Sequence, residues 1–340
     1  MKFIYFTDIH LHEGHDSRLG FERCLESMLG HDPELLLCGG DLGITPEAVS
    51  LYREMTQDVP APILLSNGNH GMCSGYLPRE QAGTVHSSTD VDGVHFVILD
   101  VVRYFEPTEV HHWNWHALAD DQLLKWLEAD LAAVDRRTPI VLASHVPIST
   151  TFPLRMGQTP GMNFPINEIA NADRILDLLK PFDHVATLHG HDHENCRHYV
   201  DDIQIMTTAA VAGNWWRNGL DSRCQGSREP QGYRLVDVAD SPGSIVSRYI
   251  AYTPEQDEPA EAFRDGHSGR AFVNVYDASP RTKVEVEDMG ALSSIDPHEP
   301  SSAGLATHLY ELPQGFDNER VPVHISYEDG RVEDLVVTID

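Results

Sequence analysis

The segment TLHGHDHE, residues 187–194, sets three histidines and two acids within eight positions. Imidazole and carboxylate at that density invite a metal ion, yet with 20 histidines in 340 residues a chance cluster is the first alternative. The company elsewhere decides between them. Five apolar runs end in possible ligands: FIYFT runs into Asp8 and His10, ELLLC into GGD with Asp41, and PILLS into NGNH with Asn69 and His70, while PIVLAS ends at His145 and HVATL at His191 and His193. Every donor is an oxygen or an imidazole nitrogen, which suits borderline ions such as Mn, Fe or Zn rather than a thiolate-selected metal. The set exceeds the about four to six ligands that one ion takes. Two ions, about 3.5–4 Å apart and bridged by one carboxylate, accommodate it. Taken singly, each residue has a plain reading: Asp8 as a helix cap, Asn69 in a turn, His145 as a satisfied core histidine. The ordered set, each member at the end of an apolar run, favours the metal site.

Such a site needs elements that bring distant residues together. Over the first 200 residues, short apolar runs alternate with amphipathic ones, the pattern of strands joined by helices. Phe21, Leu25, Met28 and Leu29 share one helical face, as do Leu123, Leu127, Leu131 and Val134, and Ala172, Ile175, Leu176 and Leu179. Asp120 and Asp121 sit where a helix N-terminus favours negative charge. The carboxyl ends of parallel strands lie together on one edge, where α/β proteins bind ligands. After residue 194 the texture turns strand-like, with YVDDIQIMTT, GYRLVDV and SIVSRYIAY expected to add antiparallel strands that complete a second sheet. TPEQDEPAE, residues 253–261, reads as a linker, and beyond it RAFVNVYD, TKVEVE, THLYEL, VPVHISY and RVEDLVV predict a small all-β domain. The expected division is therefore residues 1–252 and an acidic C-terminal β domain of residues 253–340.

Composition narrows the partners. The chain carries a formal charge of −29, and residues 253–340 hold 6 Lys and Arg against 19 Asp and Glu. A broad surface of that sign argues against nucleic acid polymers, whose phosphates are held by basic patches. Five cysteines, an odd number without a CxxC pair, suggest neither a disulfide framework nor a thiolate zinc site. The apolar run at the N-terminus breaks at Asp8, too early for a signal peptide, and no run approaches the roughly 20 apolar residues that span a bilayer. The expectation is a soluble, cytoplasmic protein, without a membrane partner, whose strand edges allow a homodimer.

The motifs DIH, GGD, GNH, SHVP and GHDH, in that order, resemble the calcineurin-like metallophosphoesterase family over roughly residues 1–250. The resemblance implies an α/β fold, a four-layer αββα sandwich of two mixed sheets with helices outside, here followed by the small C-terminal all-β domain. It implies a two-metal site that cleaves phosphate esters. Asp8, His10 and His193 would hold one metal, Asn69, His145 and His191 the other, Asp41 would bridge, and His70 matches the family's catalytic histidine. TDIHL and DDQLLKWLEADL are similar to the bacterial cyclic-AMP-type phosphodiesterases, while GNWW, GYR and VNVYD resemble C-terminal parts of other bacterial members. The chain departs from the family in one place: Gly71 follows GNH where many members carry an acid, so either His70 lacks the usual orienting carboxylate, or Asp41 or another acid does that work.

The chemistry expected is attack on phosphorus by activated water, with two cations clamping the phosphate and offsetting the acidic surround. A small phosphate ester is the expected substrate, a diester before a monoester. A non-catalytic scaffold that kept the fold is the reading from another class. HHWNWH at 111–116 and Trp215 with Trp216 remain open between lining and packing, the segment after His145 could form a lid with Arg155 as a phosphate contact, and His12 and His15 either line the rim or, the favoured reading, are solvent-exposed. Cys73 is expected to have no metal role, and Cys38 to be a packed small residue.

Overall fold

The chain's apolar runs become the central strands of two sheets. This computed structural model describes residues 1–13, 16–72, 86–104, 115–152, 166–212, 229–239, 245–252, 258–266, 269–295 and 308–339. Strand β1 (Lys2–Phe6) is followed by helix α1 (Ser17–Leu29), β2 (Leu35–Cys38), α2 (Pro46–Thr56), β3 (Ile63–Leu65) and the single turn α3 (Asn69–Met72). Next come the hairpin β4 (Ser87–Val91) and β5 (Val94–Leu99), the ribbon β6 (Val102–Tyr104) and β7 (Trp115–Ala117), and α4 (Asp121–Leu131). Strand β8 (Ile140–Ser144), helix α5 (Ala172–Leu179) and strands β9 (Val185–His189), β10 (Cys196–Val200) and β11 (Ile203–Thr207) continue the chain. Then β12 (Gly232–Val238) and β13 (Ile245–Ala251) close this part.

The first sheet runs β13-β12-β1-β2-β3 and the second β10-β11-β9-β8-β5-β4. Strands β1, β2 and β3 pair in parallel, as do β5, β8, β9 and β11. The strands after residue 194 thus divide: β10 and β11 extend the second sheet, whereas β12 returns to pair antiparallel with β1 in the first. Alternation along β1 makes the layers. Phe3 and Tyr5 pack in one cluster with Phe96, Val141 and Leu188 of the facing sheet, and Ile4 and Phe6 lie in another with Phe21 and Met28 of α1. Phe3 meets Phe96 edge-on at 5.2 Å, so the sheets touch face to face with helices outside, the four-layer αββα arrangement.

The helices obey local signals. Thr45 caps α2, its side chain accepting from the Ala48 N–H with Pro46 in the first turn, and Asp120 caps α4 through the Leu123 N–H. Val134 falls beyond α4, which ends at Leu131, so the predicted apolar stripe outruns the helix.

Beyond Tyr252, β14 (Ala260–Arg264), β15 (Ala271–Val275), β16 (Lys283–Val286), β17 (Gly290–Ala291), β18 (Leu309–Glu311), β19 (Arg320–Ser326) and β20 (Val332–Thr338) form sheets ordered β14-β15-β18 and β17-β16-β19-β20. The linker read over 253–261 is corrected at its end, because Ala260 and Glu261 already pair in β14 with Val275 and Asn274; residues 253–257 lie outside the described residues. Val273, Val284, Val323 and Ile325 fill a cluster made only of residues after 259. A buried charge network joins this part to the first sheet. Arg234 of β12, fully buried, donates to Asp277 at 2.7 Å, to Thr208 at 2.9 Å and to the Thr207 carbonyl at 3.1 Å. Arg331 donates to the other Asp277 oxygen at 3.0 Å and to the Ser247 carbonyl at 3.2 Å. Among the described residues no helix is long and apolar enough to cross a membrane.

Candidate metal centre

Five strand ends from both sheets converge: β1 delivers Asp8 and His10, β2 Asp41, β3 Asn69 and His70, β8 His145, and β9 His191 and His193. The expectation of a common edge holds in a modified form, since the meeting point belongs to the paired edges of two sheets. Turning sharply off a strand forces unusual backbone. Asp8, His10, Asp41, His191 and His193 all have positive φ, between 49° and 71°, a conformation that costs about 1–3 kcal/mol for a residue with a side chain. Two glycines make room: a Cβ at Gly68 would collide with the Asp41 carboxylate, and one at Gly190 with Thr7 and Asp8.

The carboxylates are each held by one oxygen and offer the other. Asp8 Oδ2 accepts from Thr7 Oγ1 at 2.7 Å and from the His191 N–H at 3.1 Å, while Asp41 Oδ1 accepts from the His70 N–H at 2.8 Å. The other two oxygens face imidazoles. Asp8 Oδ1 lies 3.0 Å from His193 Nε2 but accepts no hydrogen bond, and Asp41 Oδ2 lies 3.1 Å from His145 Nε2. His10 Nε2 and His193 Nε2 approach to 3.2 Å. His145 donates Nδ1–H to the Gly39 carbonyl at 2.9 Å, which turns its Nε2 towards Asn69 Oδ1 at 3.0 Å, and His191 Nδ1 reaches the same amide oxygen at 3.0 Å. Carboxylate, amide and imidazole atoms therefore converge, an arrangement that fits cations seated between them.

Electrostatics say the same. Burial pushes Asp8 and Asp41 up, but the charges of His193 and His145 on Asp8, and of His145 and His70 on Asp41, outweigh it and hold both well below the carboxylate range. Burial pushes His10 down, yet its contacts with Asp8 and Glu13 raise it to about 10. His145 is likewise opposed by burial and raised to about 9 by Asp41 and Asp8. Burial and then the charge of His145 lower His191 to about 3. In the absence of metal, the two carboxylates recruit protons onto neighbouring imidazoles as the cationic partners they need.

Residues 1–195 match the profile of the calcineurin-like phosphoesterases. The chain belongs to that family. No curated protein matches it. A dimetal phosphatase from Danio rerio superposes with a TM-score of 0.51 at 14% identity, over 74% of this chain and 99% of that one. GAP50, the anchor in the inner membrane complex of Plasmodium, gives a TM-score of 0.48 at 12% identity over 76% of this chain and 86% of its own. At these identities the Danio rerio protein speaks for the fold alone. Three groups of side chains in this calcineurin-like phosphoesterase could hold a metal ion, with atoms within 4.8 Å of one another: Asp8, His10 and His193; His10, Asp41 and His70; and Asp8, Asp41 and His145.

Not every motif residue joins the centre. His189, the first histidine of TLHGHDHE, is a satisfied core residue bonded to the Ser144 carbonyl at 3.0 Å and Thr187 Oγ1 at 2.9 Å. His12 is exposed, and Cys38 is buried at the end of β2 with its thiol pushed up to about 12 by burial. Trp115 of HHWNWH is buried edge-on to His191 at 5.4 Å, so this residue both packs and borders the centre. The segment after His145 is anchored before and after its central stretch, Thr150 donating through Oγ1 to Asp192 at 2.5 Å and through its N–H to Glu168 at 2.7 Å. His15, Cys73, residues 111–114, residues 153–165 with Arg155, and Trp215 and Trp216 lie outside the described residues. Glu13 was missed altogether. Its Oε2 stands 2.7 Å from His70 Nδ1 and its Oε1 3.4 Å from His10 Nδ1; the only sequence signal was an acid three residues past a ligand histidine.

Proposed function

We propose that this metal-dependent phosphoesterase hydrolyses small phosphodiesters, nucleotide-type or otherwise, through two ions of the Mn, Fe or Zn kind. Asp8, His10 and His193 would hold one ion, Asn69, His145 and His191 the other, with Asp41 between them. The observation that carries the reading is the pair of carboxylate oxygens, Asp8 Oδ1 and Asp41 Oδ2, facing imidazole nitrogens at 3.0 and 3.1 Å, with no Lys or Arg among their ionic neighbours in the described residues. When bound, such ions activate water towards phosphorus and neutralise the phosphate oxygens. His70, with its side chain 21% exposed beside the cluster, is the catalytic residue that stabilises the transition state or protonates the leaving oxygen. A diester brings one negative charge, which a chain of −29 repels less than a dianion. The likeness of TDIHL to cyclic-AMP-type phosphodiesterases supports the same preference.

The reading extends to a cytoplasmic enzyme with no nucleic acid polymer or membrane partner, able to form a homodimer, in which residues 253–340 are a separate acidic β domain. Separate hydrophobic clusters before residue 253 and after residue 259 support that division. The test is cleavage of bis(p-nitrophenyl) phosphate against p-nitrophenyl phosphate by Mn-loaded protein. Turnover of the diester, lost in Asp41→Asn, is expected. A preference for the monoester makes the protein a phosphomonoesterase, and no turnover of either by metal-loaded protein makes it a scaffold.

A further inference from the structure

The turn that leaves the first strand carries a carboxylate no motif predicts. Between His10 and Glu13 the chain doubles back, with positive φ at His10 and His12 and the Glu13 N–H donating to the His10 carbonyl at 2.9 Å. This brings the Glu13 side chain, 11% exposed, under two histidines from different strands. Its Oε2 is 2.7 Å from His70 Nδ1, and its Oε1 is 3.4 Å from His10 Nδ1. Among the described residues Glu13 pairs with no lysine or arginine, and these two imidazoles are its ionic neighbours. The residue after His70 is Gly71, which offers no carboxylate of its own.

We propose that Glu13 is a positioning residue shared by two histidines, fixing His70 for work on the leaving group and His10 for metal binding. The inference rests on the phosphodiesterase reading above for its His70 half. A carboxylate at Nδ1 keeps a proton on that nitrogen, so the opposite nitrogen of each ring is the one that acts. For His10 that is Nε2, the atom 3.2 Å from His193 Nε2. For His70 it is also Nε2, whose proton passes to the leaving oxygen as the P–O bond breaks, while Nδ1–H stays with Glu13 and the carboxylate never changes protonation. Glu13 fixes the orientation and tautomer of the ring throughout. One side chain thereby links the acid to the metal site across 57 residues of sequence.

The experiment uses the full chain, with Glu13→Ala, Glu13→Gln, His70→Ala and the Glu13→Ala/His70→Ala double variant, on aryl phosphodiesters of rising leaving-group pKa. Glu13→Ala should lower kcat by on the order of 10²-fold on the poorest leaving group, within the range of acid catalysis, and far less on p-nitrophenyl, with KM held within about twofold. In the His70→Ala background the same change should cost little more, since its partner is gone. Independently of turnover, Mn titration by calorimetry should show affinity weakened about 10-fold in Glu13→Gln, as loss of a carboxylate behind a ligand histidine does. A Glu13→Ala penalty that is equal on all leaving groups and undiminished without His70 overturns the His70 half; unchanged Mn affinity overturns the His10 half. Glu13→Gln preserves shape and carries both readouts should the alanine variant misfold. If wild-type protein with two metals bound cleaves neither diester nor monoester, the proposed function fails instead, and the calorimetric arm still judges Glu13.

Discussion

Two buried charge clusters in this protein are built on opposite plans. At the junction of the first sheet with the C-terminal strands, Asp277 is clasped by Arg234 at 2.7 Å and Arg331 at 3.0 Å, and every charge finds its opposite within the chain. At the metal centre, the ionic neighbours of Asp8 and Asp41 among the described residues are histidines only, His10, His145 and His193. Burying an ion without compensation costs several kcal/mol, so the second plan is stable only if positive charge arrives from outside, as protons or as metal. The contrast separates polar burial that holds a fold from polar burial that serves chemistry.

The sharpest way to break the contrast is to remove one acid from each cluster. Asp41→Asn should lower diester turnover on the order of 10³-fold, the several kcal/mol a metal centre supplies, and reduce metal content by elemental analysis. Asp277→Asn should leave metal content intact and cost about 3–5 kcal/mol in urea titration, because two arginines lose their shared partner in a buried site. If Asp41→Asn kept its metals and behaved like Asp277→Asn, the two clusters would be one kind of thing.

Proton linkage separates them more finely. His10 is raised from 6.5 to about 10 and His145 from 6.5 to about 9 in the metal-free fold. A folded pKa above the unfolded one means the native state holds the extra protons. That stability is complete below pH 6.5 and is lost as pH rises through 9 to 10. Metal-free protein should therefore weaken over that window, while Mn affinity should rise across it as the competing protons leave. Thermal melts with and without Mn check both. The smallest effect is local: Thr45→Ala removes the cap of α2 and should cost about 1 kcal/mol by urea titration, without touching either cluster.

Much of the candidate centre was legible because residues able to bind a metal follow on apolar runs, and a strand's end is a one-dimensional feature. Asp8, Asp41, Asn69, His145, His191 and His193 needed only that reading and a family resemblance to be grouped. Helix α4 was legible too, through its leucine spacing and Asp120. The return of β12 to the first sheet was not, because pairing between residues 2 and 237 depends on which edge is vacant, and short alternation is silent about that. Glu13 escaped for a related reason. Its place is set by two left-handed residues in a tight turn, and nothing in the spelling HLHEG fixes their φ. Helix α2 carried a Thr-Pro start signal at residues 45 and 46 that hydrophobic spacing alone passed over.

Two positions past His193, Asn195 is spoken for at three atoms: its Nδ2 donates to the Tyr276 carbonyl at 3.1 Å, its Oδ1 accepts from the Ala209 N–H at 3.2 Å, and its N–H donates to Glu229. The loop that presents His191 and His193 is thus moored at its downstream end to a strand terminus of the acidic appendage. Cutting the chain at residue 252 would cast off that mooring, and His191 and His193 would be held more loosely although both remained.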